Sequence, residues 1–161
     1  MKTIGKNILI ISITLGLNFF IVTDSYGQNV TYEGCVDARG IPVASISNNM
    51  MPDVAKAVLG PMGQPIILYN IQVLSWFRPQ ARLFWYVHEC AHHALAHLIG
   101  RAFPPAAERQ ADCWAISVLY RRGILSKADV DIVASDLAKI GPGDWSHLPG
   151  PRRAIDLYQC L

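Results

Sequence analysis

Charged residues are scarce in this chain. Asp, Glu, Lys and Arg make up 16% of its 161 residues, and the formal net charge is only +2. No basic run is interleaved with aromatic residues, so the chain lacks the electrostatic pattern of a nucleic-acid-binding protein. Hydrophobic residues make up 52% of the chain, which is enough for the core of one compact domain. We therefore expect a single domain without a nucleic-acid partner.

Also missing is an apolar run of the roughly 20 residues that a membrane-spanning helix needs. The longest run, residues 8–22, covers about 15 residues and follows Lys2 and Lys6. Small residues at Ser25 and Gly27 then offer a cleavage site for signal peptidase. The sequence predicts a signal peptide at residues 1–27 and a mature domain at residues 28–161. We expect a periplasmic or secreted protein with no membrane span in the mature chain, and an uncleaved anchor is the alternative.

The most informative stretch is FWYVHECAHHALAHL, which contains the pattern H-E-x-x-H at His88, Glu89 and His92. On a helix the two histidines lie about 40° apart on one face, so both imidazoles can bind one metal ion. Glu89 lies about 100° from His88, and its carboxylate can take a proton from a metal-bound water. The pattern predicts the chemistry of a zinc protease with Zn2+ as its cofactor.

Two histidines leave the metal shell incomplete, because catalytic zinc sites generally have three protein ligands and a water. Glu108 and Asp112 form E-x-x-x-D at helical spacing, so both carboxylates face one way. We expect Glu108 to be the third metal ligand and Asp112 to accept the other ring N–H of a ligand histidine. The metzincin pattern needs Gly and His where this chain has Leu95 and Leu98, which excludes that class.

Two further histidines, His93 and His97, are also four residues apart. On a continuous helix they point about 140–180° away from His88, so the spacing does not predict that they bind the metal. We expect them to pack or to form hydrogen bonds behind the site.

The two motifs resemble those of the gluzincin metallopeptidases, whose pattern is H-E-x-x-H on one helix and E-x-x-x-D on the next. Residues 146–157 look like the T-H-P…R…N-L segment of the prenyl-protein-processing and heat-shock membrane protease family. In that family a His and an Arg lie beside the active site. The resemblance implies that His147 is catalytic and that Arg152 or Arg153 stabilises the oxyanion or binds a substrate carboxylate. The alternative for His147 is a loop histidine that caps the following helix.

Between and around these motifs the sequence predicts a small sheet and several helices. The clearest strand is residues 65–70, which we place at a sheet edge where an extended peptide could pair with it. A short hairpin is predicted within residues 29–43 and a short helix at residues 54–59.

The four main helices are predicted from Pro and Gly positions and from capping residues. The predicted spans are Pro79 to Gly100, Pro104–Pro105 to Gly123, Ser126 to Ile140, and Pro151 to Gln159. The third span starts with a capping-box-like sequence in which Asp129 replaces the usual Glu. The predicted fold is therefore α+β, with a small sheet, an active-site helix, a glutamate helix and two further helices, and the family resemblance implies that it is a minimal zincin-like domain.

Four cysteines, an even number, suit an exported protein in an oxidising compartment. Three pairings are open. A Cys35–Cys160 bridge would join the two ends of the domain, and a Cys90–Cys113 bridge would lock the two metal-bearing helices. Against the second bridge, Cys90 lies about 160° around its helix from His92. Cysteine ligation of zinc is the weaker alternative, because neither Cys90 nor Cys113 faces the predicted metal side.

Taken together, the motifs predict a zinc-dependent endopeptidase that hydrolyses peptide or protein substrates. Glu89 would be the general base for a metal-activated water. A secreted zinc-stabilised binding or structural module without turnover is the alternative function. Such a module would need no general base and would favour a closed shell of four protein ligands.

Overall fold

The computed structural model describes residues 34–99, 105–141 and 148–161. The predicted signal peptide and His147 lie outside these residues. The described chain forms a small sheet and five helices, so the predicted α+β class is confirmed. The elements are β1 (Ala44–Ser47), β2 (Ala55–Leu59), β3 (Pro65–Tyr69), α1 (Ile71–Leu74), α2 (Pro79–Ala94), α3 (Pro105–Arg121), α4 (Lys127–Leu137) and α5 (Gly150–Asp156), followed by a 3-10 turn at Leu157–Cys160.

Strand β3 lies in the centre of the sheet, whose strand order is β1-β3-β2. It pairs in parallel with β1 and in antiparallel with β2. The predicted strand is therefore confirmed, but its placement at a sheet edge is wrong. Because both of its edges are already hydrogen-bonded, β3 has no free edge for the extended peptide that the sequence prediction placed there.

The segment predicted as a short helix at residues 54–59 is instead β2. Ala55 and Ala57 are buried while Lys56 is exposed, which is the two-residue alternation of a strand with one face on the core. The Ala side chains allow β2 to lie close to α2, and pairing with β3 overrides the local helix preference. The predicted hairpin in residues 29–43 is represented, within the described residues, by one bridge between Val36 and Pro42.

Helix α2 is the central element and carries the H-E-x-x-H pattern. It packs on α3, α4 and β2. It starts at Pro79, as predicted. Proline lacks a backbone N–H, but the N–H groups in the first turn of a helix have no partner within the helix, so no hydrogen bond is lost. The core is built around its apolar side chains and their neighbours on β3, α3 and α4, namely Phe84, Val87, Ile67, Ile116, Leu119, Val130, Val133 and Leu137. The site residues of α2 are therefore held by a rigid, fully packed element.

Helix α2 ends at Ala94 and not at Gly100, so its predicted C-terminus is wrong. The turn that ends it has the two bonds of a Schellman motif: His97 N–H donates to His92 C=O at 3.0 Å and Ala96 N–H donates to His93 C=O at 3.2 Å. Ala96 takes the left-handed position with φ of 58°, which is usually glycine. The chain thus reverses soon after His92 and can return to α3 without a long linker.

The remaining helices agree closely with the predicted spans. Ser126 caps α4: its hydroxyl accepts the N–H of Asp129, and the Asp129 carboxylate accepts the N–H of Ser126. Asp thus completes a capping box in place of Glu. Helix α5 starts one residue before Pro151, and its last predicted turn is the 3-10 segment.

Two disulfides join Cys35 to Cys90 and Cys113 to Cys160. Of the three pairings that the sequence left open, the structure therefore has neither the Cys35–Cys160 nor the Cys90–Cys113 bridge. Cys90 lies on the rear of α2, where the segment around residue 38 runs, since Ala38 N–H donates to His93 C=O. Cys113 faces the C-terminal turn. One bridge thus ties α2 and the other ties α3 to an end of the described chain.

Two disulfides are consistent with an exported protein or an oxidising environment. Among residues 34–99, 105–141 and 148–161, no helix combines the length and the apolar character needed to cross a membrane.

The start of α2 is held by α4 through Asp136. The Asp136 carboxylate accepts the backbone N–H of Arg78, the N-cap residue of α2, at 2.9 Å, and the Arg78 guanidinium at 2.8 Å. Burial alone would raise the pKa of Asp136, but the hydrogen bonds from Arg78 and Lys139 hold this pKa far below its usual range. The carboxylate therefore stabilises the folded state most when it is ionised.

Replacing Asp136 with Asn is expected to lower the free energy of unfolding by about 2 kcal/mol at neutral pH, because an amide N–H would face the Arg78 donors. The folded pKa of Asp136 lies below its unfolded value, so its contribution is present above about pH 4 and is lost as the pH falls. Urea unfolding of both proteins between about pH 7 and pH 2 should show the difference shrinking in acid. A difference that stays constant over that range would contradict this assignment.

Candidate metal centre

Three buried side chains bring their donor atoms together between α2 and α3. His88 Nε2 and His92 Nε2 lie 3.2 Å apart. Glu108 Oε2 lies 3.4 Å from His88 Nε2, and Glu108 Oε1 lies 3.2 Å from His92 Nε2. Tetrahedral zinc with bonds of about 2.0–2.1 Å places its ligand atoms about 3.3–3.4 Å apart. The two imidazole nitrogens therefore lie near the spacing of two corners of a zinc site, and the Glu108 carboxylate contacts both of them. His88, His92 and Glu108 form a candidate metal-binding group, whose donor atoms lie within 4.8 Å of one another.

Each donor owes its position to its helix. His88 and His92 lie one turn apart on α2, and both are at most 2% exposed. Glu108 lies in the first turn of α3, which packs along α2. Because α2 ends at Ala94, the first turn of α3 can lie beside His92.

Glu89 faces the same cluster from its other side. Its Oε2 accepts the backbone N–H of Ala57 on β2 at 2.7 Å, and its Oε1 lies 4.0 Å from His88 Nε2. This Oε1 is buried and has no hydrogen-bond partner among the described residues. Glu108 Oε2 is also buried without a hydrogen bond, although it lies 3.4 Å from His88 Nε2. An unpaired buried carboxylate oxygen is costly. A cation with bound water at the cluster would satisfy both atoms, so the residues present fit a metal ion.

Behind His88 lies a buried ion pair between Asp112 and Arg153. Asp112 Oδ1 lies 2.8 Å from His88 Nδ1, and the Arg153 guanidinium donates to both Asp112 oxygens, at 2.8 and 2.6 Å. The guanidinium also stacks on the Trp85 ring at 4.6 Å. Asp112 is thus placed to accept the His88 Nδ1–H, which leaves Nε2 to face the cluster.

The charges at the cluster shift the pKa values of its members. Burial disfavours a charged His88, but the negative charge of Asp112 outweighs it and raises the pKa of His88 to about 9. Burial likewise opposes ionisation of Asp112, yet the Arg153 charge lowers the pKa of Asp112 to about 2. For Glu108, burial is overcome by the two histidines, which hold its pKa far below the usual range. Glu108 and Asp112 are therefore carboxylates at neutral pH.

The two arginines named by the family resemblance lie in different places. Arg153 is 1% exposed and lies on the Nδ1 side of His88, away from the donor cluster, with its guanidinium bound to Asp112. The Arg152 side chain is 69% exposed and pairs only with Asp156 in the described chain. Arg153 thus pairs with Asp112 and Arg152 with Asp156, and their expected roles at an oxyanion or a substrate carboxylate stay predictions.

The two remaining histidines of the motif region also differ. His93 Nε2 lies 3.0 Å from the carbonyl oxygen of Ile66 and ties α2 to β3, as a packing residue. His97 Nδ1 lies 3.0 Å from His92 Nδ1, and His97 Nε2 lies 3.1 Å from Gln110 Oε1. Burial and the neighbouring His92 lower the pKa of His97.

Sequence reasoning missed two contacts at the cluster, those of Ala57 and Gln110. The Ala57 contact uses a backbone N–H, which leaves no trace in residue identity. The Gln110 contact depends on the turn at Ala96, and an Ala in a left-handed position gives no sequence signal.

No protein-family model, curated protein or solved structure matches this chain. The resemblance to gluzincins therefore stays a prediction from the motifs.

Proposed function

We propose that this protein is a zinc-dependent endopeptidase of the gluzincin type, with His88, His92 and Glu108 as metal ligands. The observation that carries this proposal is the position of Glu89 Oε1: a buried carboxylate oxygen without a partner, 4.0 Å from a ligand atom of the cluster. A structural metal site has no use for such a group, whereas a hydrolytic site needs a base beside the metal.

In the proposed reaction each residue has one task. Zinc, when bound, would lower the pKa of its water towards about 7 and polarise the scissile carbonyl. Glu89 takes the proton of that water through Oε1 and later delivers it to the leaving amine. Ala57 N–H holds the other oxygen and so fixes the orientation of the carboxylate. Asp112 accepts the His88 Nδ1–H and keeps Nε2 directed at the metal.

A zinc-stabilised binding or structural module is the second candidate function. It would share the three ligands but would favour a fourth protein ligand. Among the described residues no fourth His or Cys joins the group. Within the described residues the group thus has three protein ligands, the number typical of a catalytic zinc site, and this favours the enzyme.

We also propose that the chain is exported, to the periplasm or beyond the cell, after removal of residues 1–27. The two disulfides support this proposal, as does the charge and apolar pattern of residues 1–27.

The purified mature protein is expected to hold about one zinc per chain and to cleave casein or a broad peptide library. Glu108→Ala removes one of three ligands, so this variant should lose most of its zinc on dialysis and its hydrolysis with it. Metal analysis and mass spectrometry of the digest measure both. Full zinc retention by Glu108→Ala would contradict the third ligand, and a zinc-replete wild type that cleaves nothing would favour the binding module.

A further inference from the structure

The turn that ends α2 brings His97 back onto His92. On a continued helix His97 would lie about 140° around the axis from His92. Instead Ala96 adopts φ of 58°, and both the backbone N–H and the ring of His97 contact His92. The His97 ring in turn contacts Gln110 on α3. The three side chains form a continuous row from the donor cluster to the surface.

The hydrogen bonds along this row have one direction once His92 binds a metal. His92 Nε2 lies at the cluster, so its lone pair is needed there and the ring proton must lie on Nδ1. That Nδ1–H can donate to His97 Nδ1, which then carries its own proton on Nε2. The His97 Nε2–H donates to Gln110 Oε1, which can only accept. No donor faces a donor and no acceptor faces an acceptor.

We propose that His97 and Gln110 are positioning residues for His92, fixing its tautomer and ring orientation as Asp112 does for His88. This inference rests on the proposed metal site, though not on peptide hydrolysis. The two ligand histidines then differ in the group that accepts the hydrogen bond from Nδ1. His88 is held by a buried carboxylate, whereas His92 is held by a neutral imidazole at the protein surface.

The location of His97 makes the inference testable without disrupting the core. Its ring is half-buried and lines an open surface cavity of about 760 Å³, which is also lined by Gln110 and Trp114. Replacing His97 by a residue of similar size therefore alters the lining of a surface cavity and creates no void in the core.

The test measures zinc affinity of the full mature chain by competition with a chelator. His97→Leu keeps the branched shape but removes the acceptor, and it should weaken zinc binding by about 10–100-fold. His97→Asn places an amide oxygen near the Nδ1 position and should restore affinity to within about threefold of wild type. Gln110→Ala should give a smaller loss, and none in the His97→Leu background, because Gln110 acts only through His97.

Arg109→Ala is the matched control, since Arg109 is the exposed neighbour on α3 and bonds only to Gln159 in the described chain. It should leave zinc affinity unchanged. The absorption spectrum of the Co2+-loaded protein is the second readout: it should change in His97→Leu and stay unchanged in Arg109→Ala, since it reports the orientation of the ligands.

The outcomes separate this inference from the metal site itself. If the wild type binds zinc and His97→Leu binds it equally tightly, the positioning role is overturned and the site stands. Equal losses in His97→Leu and His97→Asn also overturn it, because the acceptor would not matter. A wild type that binds no zinc removes the metal site and this inference together.

Discussion

Glu89→Gln is expected to retain its zinc while peptide hydrolysis falls by at least about 10². Gln keeps the size of the side chain, and its amide oxygen can still accept the Ala57 N–H. It cannot take a proton from water, so only the base is removed. Zinc content and hydrolysis of the same peptide library, measured side by side on the two proteins, check the prediction.

Asp112→Asn is the control for Glu89→Gln. Loss of this carboxylate should weaken metal affinity or activity by about 10–100-fold, because Asp112 acts on His88 and not on the water. The enzyme hypothesis thus expects a metal-replete, nearly inactive protein in one case and a partly metal-depleted, partly active protein in the other. If the wild type and Glu89→Gln cleave the library equally, Glu89 is not the general base.

Replacing Arg153 with Met is expected to lower the free energy of unfolding by about 3–5 kcal/mol. Arg153 is fully buried and donates two hydrogen bonds to Asp112, which is itself 3% exposed. Met keeps much of the contact with Trp85 but leaves the Asp112 carboxylate buried without its cation. Urea unfolding with both disulfides intact measures the loss.

The neighbouring arginine provides the comparison. Arg152 is mostly exposed, and its contact with Asp156 is a surface ion pair, so Arg152→Met should change stability by less than about 0.5 kcal/mol. Similar small effects at Arg152 and Arg153 would show that the buried pair with Asp112 does not stabilise the fold.

The parts that could be predicted from sequence are those encoded by local spacing. H-E-x-x-H, E-x-x-x-D and the Ser126 capping box each depend on residues within one or two helical turns, and helix geometry fixes what they bring together. The starts of the main helices follow from Pro79, Pro105 and Ser126 for the same reason.

The parts that could not be predicted depend on contacts between distant segments. The local sequence of residues 54–59 does not indicate that pairing with β3 will make this segment a strand. The disulfide partners depend on which helix face meets which chain end, and four cysteines alone leave three pairings open. The end of α2 depends on a left-handed Ala96, where composition favours a longer helix.

The hydrogen bond between Glu89 and Ala57 also bears on pairing between strands of different molecules. Strand β2 lies at an edge of the sheet that the described residues form, and antiparallel pairing turns the Ala57 N–H away from β3. Unpaired edge amides are templates for adding a strand from another chain, and a charge directed into the edge blocks that addition. Because Ala57 is buried and its N–H is bonded to Glu89, this amide is not available to a strand from another chain. A substitution that shortened Glu89 would leave this buried amide without its acceptor as well as remove the proposed base.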